Sequence, residues 1–136
     1  MSSSAQPSLL LAGRALLGLL FVVSGVRAVI FFPGSAAYFA GLGFPAPGAM
    51  NVLAIVIEVG GGILLVAGWK TRWVAWLLVA FVAIATATAH RFWEFDAQQY
   101  NNQLNHMLKN LAIIGGLFYI AVLGAGRYSL EERRGA

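Results

Sequence analysis

The chain contains no cysteine and few charged residues. The first absence excludes disulfides, thiolate metal sites and CxxC redox chemistry, including the mechanism by which some membrane enzymes reduce quinones with a cysteine pair. Charged residues account for only 10% of the 136 residues, whereas soluble domains carry about 25%. Phosphate-binding loops, nucleophile elbows and HExxH zinc motifs are also missing. No motif in the sequence therefore identifies a reaction.

Hydrophobic residues, by contrast, make up 60% of the chain. A soluble protein of this length could not bury so much apolar surface, because small domains have a high surface-to-volume ratio. Four segments reach the roughly 20 apolar residues that a membrane-spanning helix needs, at about 9–32, 49–68, 73–89 and 104–125. The first segment is too long for the core of a signal peptide, and residues 1–8 carry no basic side chain, so we expect it to be retained.

The segments between these helices differ in composition. Residues 33–48 carry no charge, contain three aromatic side chains and have proline and glycine at both ends, which predicts a short interfacial helix over about 35–41. Residues 91–103 are the most polar stretch, and we expect the charged tail, 127–136, to fray. The predicted fold is a single all-α domain, 1–136, forming an integral membrane four-helix antiparallel bundle with a short interfacial helix between helices 1 and 2.

Basic residues are distributed unevenly between the two ends of this bundle. Three lie at the end away from the termini, Arg27, Arg91 and Lys109, and the other six of the nine lie on the side of the termini: Arg14, Lys70, Arg72, Arg127, Arg133 and Arg134. Because cytoplasmic segments carry the excess of Lys and Arg, we expect both termini to be cytoplasmic. The net charge of +4 is explained by contact with the lipid bilayer, and nucleic acid is not an expected partner.

Glycines are spaced for close packing of the helices. Gly18 and Gly25 lie seven residues apart in the first helix, a run of three glycines occupies 60–62, and a pair occupies 115–116. Small residues let helix backbones approach closely in lipid, where packing drives association. We therefore expect these positions to lie at helix contacts. A homo-oligomer is compatible with this pattern but is not indicated by it.

Glu58 is the clearest candidate for a functional residue. It lies about ten residues from either end of the second helix, near the membrane midplane, where a charge costs about 2.5–3.5 kcal/mol. Asn51 and Leu65 lie seven residues to either side of it, and Ala54, Gly61 and Gly62 flank the same face. This face is small and polar, so it should point into the bundle. The acid either handles protons or binds a ligand, or it forms a structural ion pair or hydrogen bond.

Three cations are placed to interact with this acid or with a ligand. Lys109 enters helix 4 about one turn from its outer end, and Arg14 enters helix 1 from the cytoplasmic side to a similar depth. Either could neutralise Glu58, although Lys109 could equally extend toward the outer interface. Arg27 could bind an anionic head group or serve as an interfacial anchor.

Two histidines lie at matched depth at the outer end. His90 ends helix 3 and His106 lies in the first part of helix 4. Such a pair can ligate a haem, but no other feature marks a haem pocket, and a neutral imidazole that donates one hydrogen bond is the alternative for each. Asn110 and Trp93 lie nearby. We predict an outer pocket with apolar walls and a few polar groups, suited to the flat head group of a quinone.

The chain resembles the DoxX family of small bacterial membrane proteins over nearly its whole length. The matching stretches are Arg14-Ala15-Leu16-Leu17-Gly18, Ser24-Gly25 with Arg27, where lysine is common, Gly41-Leu42-Gly43-Phe44-Pro45, Glu58-Val59-Gly60-Gly61, Gly68-Trp69-Lys70-Thr71-Arg72, His90-Arg91-Phe92-Trp93 and Lys109-Asn110-Leu111. The resemblance implies a four-helix membrane fold. It also implies a link to oxidoreductases that use quinone as acceptor, in some cases in complex with soluble redox partners.

The leading hypothesis is an inner-membrane component of a quinone-linked oxidoreductase. Glu58 and His90 would be catalytic and handle protons. The ligand-binding residues would be Arg14, Arg27, Lys109, Asn110 and Trp93. The alternatives are a non-catalytic scaffold or assembly partner of a redox enzyme, in which Glu58 and Lys109 act as structural glue, and a small-solute transporter, for which four helices are few.

Overall fold

The computed structural model describes residues 5–135, and most of them are helical. Six helices follow one another, α1 (Ala5–Ile30), α2 (Phe32–Gly41), α3 (Pro47–Ala67), α4 (Thr71–Ala89), α5 (Ala97–Leu123) and α6 (Leu130–Gly135). Helices α1, α3, α4 and α5 are long and apolar enough to cross a membrane, and no strand occurs within 5–135. The prediction of an all-α membrane bundle with four spanning helices and a short helix between the first two is confirmed.

Helix α5 begins seven residues earlier than the expected start at 104. Asp96 explains the true boundary, because its carboxylate accepts hydrogen bonds from the backbone N–H groups of Gln98 and Gln99, each at 3.1 Å. These bonds satisfy donors that the first turn of a helix otherwise leaves unpaired. The first two turns of α5 are polar and mostly exposed, so they leave no apolar pattern for sequence reasoning to detect.

The carboxyl-terminal tail is the second departure from expectation. Instead of fraying, its residues 130–135 form α6, which packs against the connection between α3 and α4. The backbone N–H of Glu131 donates to the carbonyl of Gly68 at 3.1 Å, and its carboxylate accepts from the N–H of Thr71 at 2.7 Å. Residue 136, like 1–4, lies outside the described residues, and the single domain 1–136 stays a prediction.

Glycines bring α1 and α3 into close contact. A β-carbon on Gly18 would lie 2.7 Å from the carbonyl oxygen of Gly62, and one on Gly25 would lie 3.1 Å from Cβ of Glu58. The first distance is shorter than β-carbons show in real structures, and the second is tight, so glycine at these positions allows the close crossing. The expectation that the heptad-spaced glycines mark a helix contact is confirmed, and the contact places α1 directly against the segment of α3 that carries Glu58.

The apolar core lies in the half of the bundle nearer the termini, called here the proximal half. It is built mainly by Phe21, Leu65, Leu78 and Leu117, one from each spanning helix. Leu17 of α1 closes against α5 here, where a β-carbon on Gly116 would approach it to 3.1 Å. The other half, toward α2 and the connection between α4 and α5, is called the distal half. Helices α1 and α5 touch sparingly overall, and in the distal half they diverge around a cavity.

Candidate functional site

A cavity of about 700 Å³ occupies the distal half of the bundle. All of α1 to α5 contribute to its walls, and the apolar part of the lining is mostly Leu, Val, Phe and Ala. Its polar and charged lining residues are Ser24, Arg27, Ser35, Tyr38, Asn51, Glu58, His90, His106, Lys109 and Asn110. Five of the seven predicted site residues, Arg27, Glu58, His90, Lys109 and Asn110, are therefore brought together in one space.

Glu58 lies in a π-helical turn, Val56–Gly60, that interrupts the α-helical hydrogen bonding of α3. Such single turns are rare and occur frequently at functional sites. The hydroxyl of Ser24 on α1 donates to Oε1 of Glu58 at 2.7 Å, across the contact that Gly25 permits. The acid is half-buried and lines the cavity, so its remaining acceptor capacity is directed toward whatever occupies that space.

Neither proposed counter-ion pairs with Glu58. Lys109 donates instead to Nδ1 of His106 at 3.2 Å. In the described part of the chain the salt bridge is the exposed pair Arg91–Glu94, at 3.1 Å. Glu58 and Lys109 therefore form no direct ion pair in the described residues, because both groups have other partners. Each makes only one side-chain hydrogen bond in the described residues.

The two histidines stack face to face at the edge of the cavity. Their ring centroids are 5.0 Å apart with an angle of 13° between the planes. Nδ1 of His90 contacts Oε1 of Gln103 at 2.9 Å, which fixes the proton on Nδ1 because a carbonyl oxygen can only accept. His106 must have the opposite tautomer, since its Nδ1 accepts from the ammonium of Lys109. Nε2 of His90 is left as a hydrogen-bond acceptor.

This stacking does not suit a haem held between the two rings. Axial ligands approach an iron from opposite sides with their ring nitrogens pointing toward each other, whereas stacked rings direct their nitrogens sideways. Within 5–135, no three His, Asp or Glu side chains group together as metal ligands.

Asn110 and Tyr38 supply further hydrogen-bonding groups. Nδ2 of Asn110 donates to Oγ1 of Thr86 at 3.0 Å, and Thr86 in turn donates to the carbonyl of Val82 at 2.7 Å, so the orientation of the amide is fixed. Tyr38 lies on α2 and is half-buried against the cavity. Burial raises the pKa of its phenol above the usual value, which keeps it protonated and able to donate at neutral pH.

Asn51 is a site residue that the sequence-based selection left out. Its side chain is 0% exposed, and Nδ2 donates to Oγ of Ser35 on α2 at 2.9 Å. Its Oδ1 has no hydrogen-bond partner within the described residues, although Asn51 lines the cavity. The seven-residue spacing from Glu58 was the available signal, because it places both side chains on one face of α3.

Arg14 and Trp93 are not part of this cavity. Arg14 lies in the proximal half, only 2% exposed, and its guanidinium donates to the carbonyls of Ala125, of Val66 at 3.3 Å and of Tyr128 at 2.6 Å. Both terminal nitrogens thus donate to backbone, while Nε–H has no partner within the described residues. These contacts give Arg14 a role in packing, away from the cavity in which it was expected to bind a ligand. Trp93 is exposed and packs edge-on against Phe92 with ring centroids 5.1 Å apart, consistent with an interfacial anchor rather than a cavity wall.

A second, apolar cavity of about 260 Å³ adjoins the first. It lies between α2, α3 and α4, and nearly all of its lining is hydrophobic. The two cavities share a wall formed by Tyr38, Phe39, Ala54, Phe81, Ala85 and Ala89. A polar compartment and an apolar one therefore lie side by side in the distal half.

Comparisons with known proteins agree with this architecture. The DoxX family model matches residues 9–91. The chain is 32% identical to the Escherichia coli inner membrane protein YphA over 96% of this chain and 93% of that protein. It is also 32% identical to the Escherichia coli inner membrane protein YqjF, over 90% of this chain and 88% of that protein.

A more distant similarity extends to a eukaryotic protein. The Saccharomyces cerevisiae ER-derived vesicles protein ERV29 is 28% identical over 98% of this chain but only 36% of its own length. No solved structure gives a significant match. The bacterial relatives and the four spanning helices identify a multi-pass inner membrane protein. Given the family match over most of its length, the chain belongs to the DoxX family.

Proposed function

We propose that this protein is a quinone-binding component of a membrane redox system. The observation that carries the proposal is the pair of adjoining cavities, one polar and about 700 Å³, the other apolar and about 260 Å³. A quinone has a flat head group with two carbonyl oxygens and an apolar tail. The polar compartment offers hydrogen-bond donors and acceptors for the head group, and the apolar compartment offers a lining that matches the first part of the tail.

Lys109, Asn110 and Arg27 are the proposed head-group ligands. All three carry N–H donors and line the polar cavity. Lys109 has only a neutral imidazole as its partner, and within the described residues no carboxylate pairs with Lys109 or Arg27. Their N–H groups therefore remain available to carbonyl oxygens, and hydrogen bonds from charged donors are the stronger kind.

Glu58 and His90 are the proposed proton-handling groups. Glu58 has acceptor capacity beyond its bond from Ser24, and Nε2 of His90 is left as an acceptor by the bond at Nδ1. Reduction of a quinone takes up two protons, and a carboxylate and an imidazole at one cavity supply two groups able to exchange them. The bound quinone would supply the redox chemistry.

The proposed orientation places the cavity in the outer half of the membrane. Six of the nine basic residues lie at the proximal end, which favours a cytoplasmic location for that end and both termini. Electrons would then be exchanged at the outer side, in contact with a soluble or membrane-bound redox partner.

The test is to purify the protein in mild detergent and analyse its bound lipids by mass spectrometry. We expect quinone to copurify and added decylubiquinone to raise the melting temperature. Lys109→Met should weaken decylubiquinone binding about tenfold or more, because a hydrogen bond from a charged donor contributes about 1.5–3 kcal/mol. Lys70→Met, at the proximal end, is the matched control. Absence of copurifying quinone together with an unchanged melting temperature would refute the proposal.

A further inference from the structure

Asn51 combines complete burial with an unused hydrogen-bond acceptor. Its side chain is 0% exposed and lines the polar cavity, and Oδ1 has no partner within the described residues. Leaving a buried acceptor unpaired costs about 1–3 kcal/mol, and native proteins rarely tolerate it. A group that enters the cavity and donates a hydrogen bond to Oδ1 would remove this cost.

The orientation of the amide follows from its neighbour. Oγ of Ser35 lies 3.0, 3.3 and 3.1 Å from the carbonyl oxygens of Ala28, Phe31 and Phe32. Carbonyls only accept, so the single hydroxyl proton of Ser35 is directed toward them. Ser35 can then offer Asn51 only lone pairs, which requires that Nδ2 faces Ser35 and that Oδ1 is the free atom.

We propose that Asn51 makes the site selective for the reduced form of its ligand, the hydroquinone; this inference rests on the proposed function. A quinone carbonyl beside Oδ1 would place two acceptors together, whereas a hydroquinone hydroxyl donates. Glu58 lies two turns further along α3, at about 10.5 Å for seven residues, and is a second acceptor on the same cavity. A hydroquinone has two para hydroxyls, so one could donate to Oδ1 of Asn51 and the other to the carboxylate of Glu58.

The selectivity has a measurable electrochemical consequence. If the hydroquinone binds tenfold more tightly than the quinone, the midpoint potential of the bound couple rises by about 30 mV, since a tenfold change corresponds to 29.6 mV for a two-electron couple. The site would thereby favour hydroquinone formation and retention. A role of Asn51 limited to attaching α2 through Ser35 would change the affinity of both forms together and leave their ratio unchanged.

The experiment compares decylubiquinone with decylubiquinol, under anaerobic conditions, on the full-length protein in lipid nanodiscs. Dissociation constants are measured by isothermal titration calorimetry for the wild type, for Asn51→Leu and for the control Asn101→Leu, which makes the same exchange at an exposed position outside the cavity. We expect the wild type and Asn101→Leu to bind decylubiquinol about tenfold more tightly than decylubiquinone. Asn51→Leu should bring the ratio close to one, mainly by weakening decylubiquinol binding.

The outcomes separate this inference from the proposed function. Equal wild-type affinities for the two forms would overturn the inference and leave quinone binding intact. A tenfold ratio that survives in Asn51→Leu would also overturn it, because the selectivity would then come from other groups. Failure of both forms to bind would overturn both proposals. If Asn51→Leu does not fold, the wild-type midpoint potential decides alone, because an unshifted potential contradicts the inference.

Discussion

Arg14 should be the most destabilising position to mutate among the charged residues of the spanning helices. Its guanidinium donates to three backbone carbonyls, those of Val66, Ala125 and Tyr128. Val66 is in the last turn of α3, and the other two lie in the segment that joins α5 to α6. One side chain of α1 therefore holds together the proximal ends of the bundle and orders the tail.

The magnitude can be estimated from these contacts. Three hydrogen bonds from a charged donor are worth about 1.5–3 kcal/mol each, or about 4–9 kcal/mol before the cost of removing the guanidinium from water. That cost is several kcal/mol per ion. Arg14→Met also leaves the three carbonyls without this donor. We expect a net loss of about 3–5 kcal/mol, similar in size to the loss when one partner of a buried ion pair is removed.

The assay is equilibrium unfolding in mixed detergent micelles, followed by circular dichroism, with Arg127→Met as the control at an exposed position. Limited proteolysis should in addition release the tail, 124–135, from Arg14→Met faster than from the control. Equal unfolding free energies for the two variants would refute the reasoning. If Arg14→Met is destabilised but its tail is cleaved no faster than that of the control, Arg14 does not order the tail.

Two further changes test the helix contact and the start of α5. Gly18→Ala should destabilise the bundle by about 1–3 kcal/mol through overpacking, because its methyl would lie 2.7 Å from a backbone oxygen. The control is Gly13→Ala, whose added carbon has no atom of the described residues within 4 Å. Equal melting temperatures of the two variants would contradict the prediction. Asp96→Ala should lower the stability by about 1 kcal/mol, because it removes the amino-terminal cap of α5, whereas Asp96→Asn should lower it by only a few tenths. Both changes are measured by thermal unfolding. A loss of stability in Asp96→Asn as large as in Asp96→Ala would argue against capping.

The spanning helices could be predicted because lipid imposes one simple requirement, a run of about 20 apolar residues. Boundaries set by local hydrogen bonds were harder to predict. The cap at Asp96 and the helix 130–135 depend on single contacts, such as the bond from Thr71 to Glu131, that leave no periodic signal. Glycine spacing succeeded at Gly18 and Gly25, because close approach in lipid has a fixed helical period.

The sequence predicts most of the residues that line the cavity, but not the hydrogen-bond partner of each residue. The free-energy cost of a charge inside the membrane distinguishes Glu58 and Lys109 from their apolar neighbours. Both are therefore correctly predicted to line the cavity. Which partner each group takes depends on side-chain direction. The π-helical turn of α3 and the stacking of His106 on His90 decide that direction, and neither can be read from spacing. Arg14 was assigned to ligand binding for the same reason, since depth alone does not distinguish carbonyl partners from a ligand.

The two halves of the bundle use their ionisable residues in different ways. Arg14, in the proximal half, donates from both terminal nitrogens to three carbonyls and leaves only Nε–H without a partner in the described residues, so these backbone contacts account for its burial. Glu58 and Lys109, in the distal half, have one neutral hydrogen-bond partner each and line the same cavity. Ionisable residues are rare in membrane segments because they are expensive, and a direct Glu58–Lys109 pair would have reduced that cost. Keeping the two groups apart around a cavity is therefore best explained by a ligand that interacts with both.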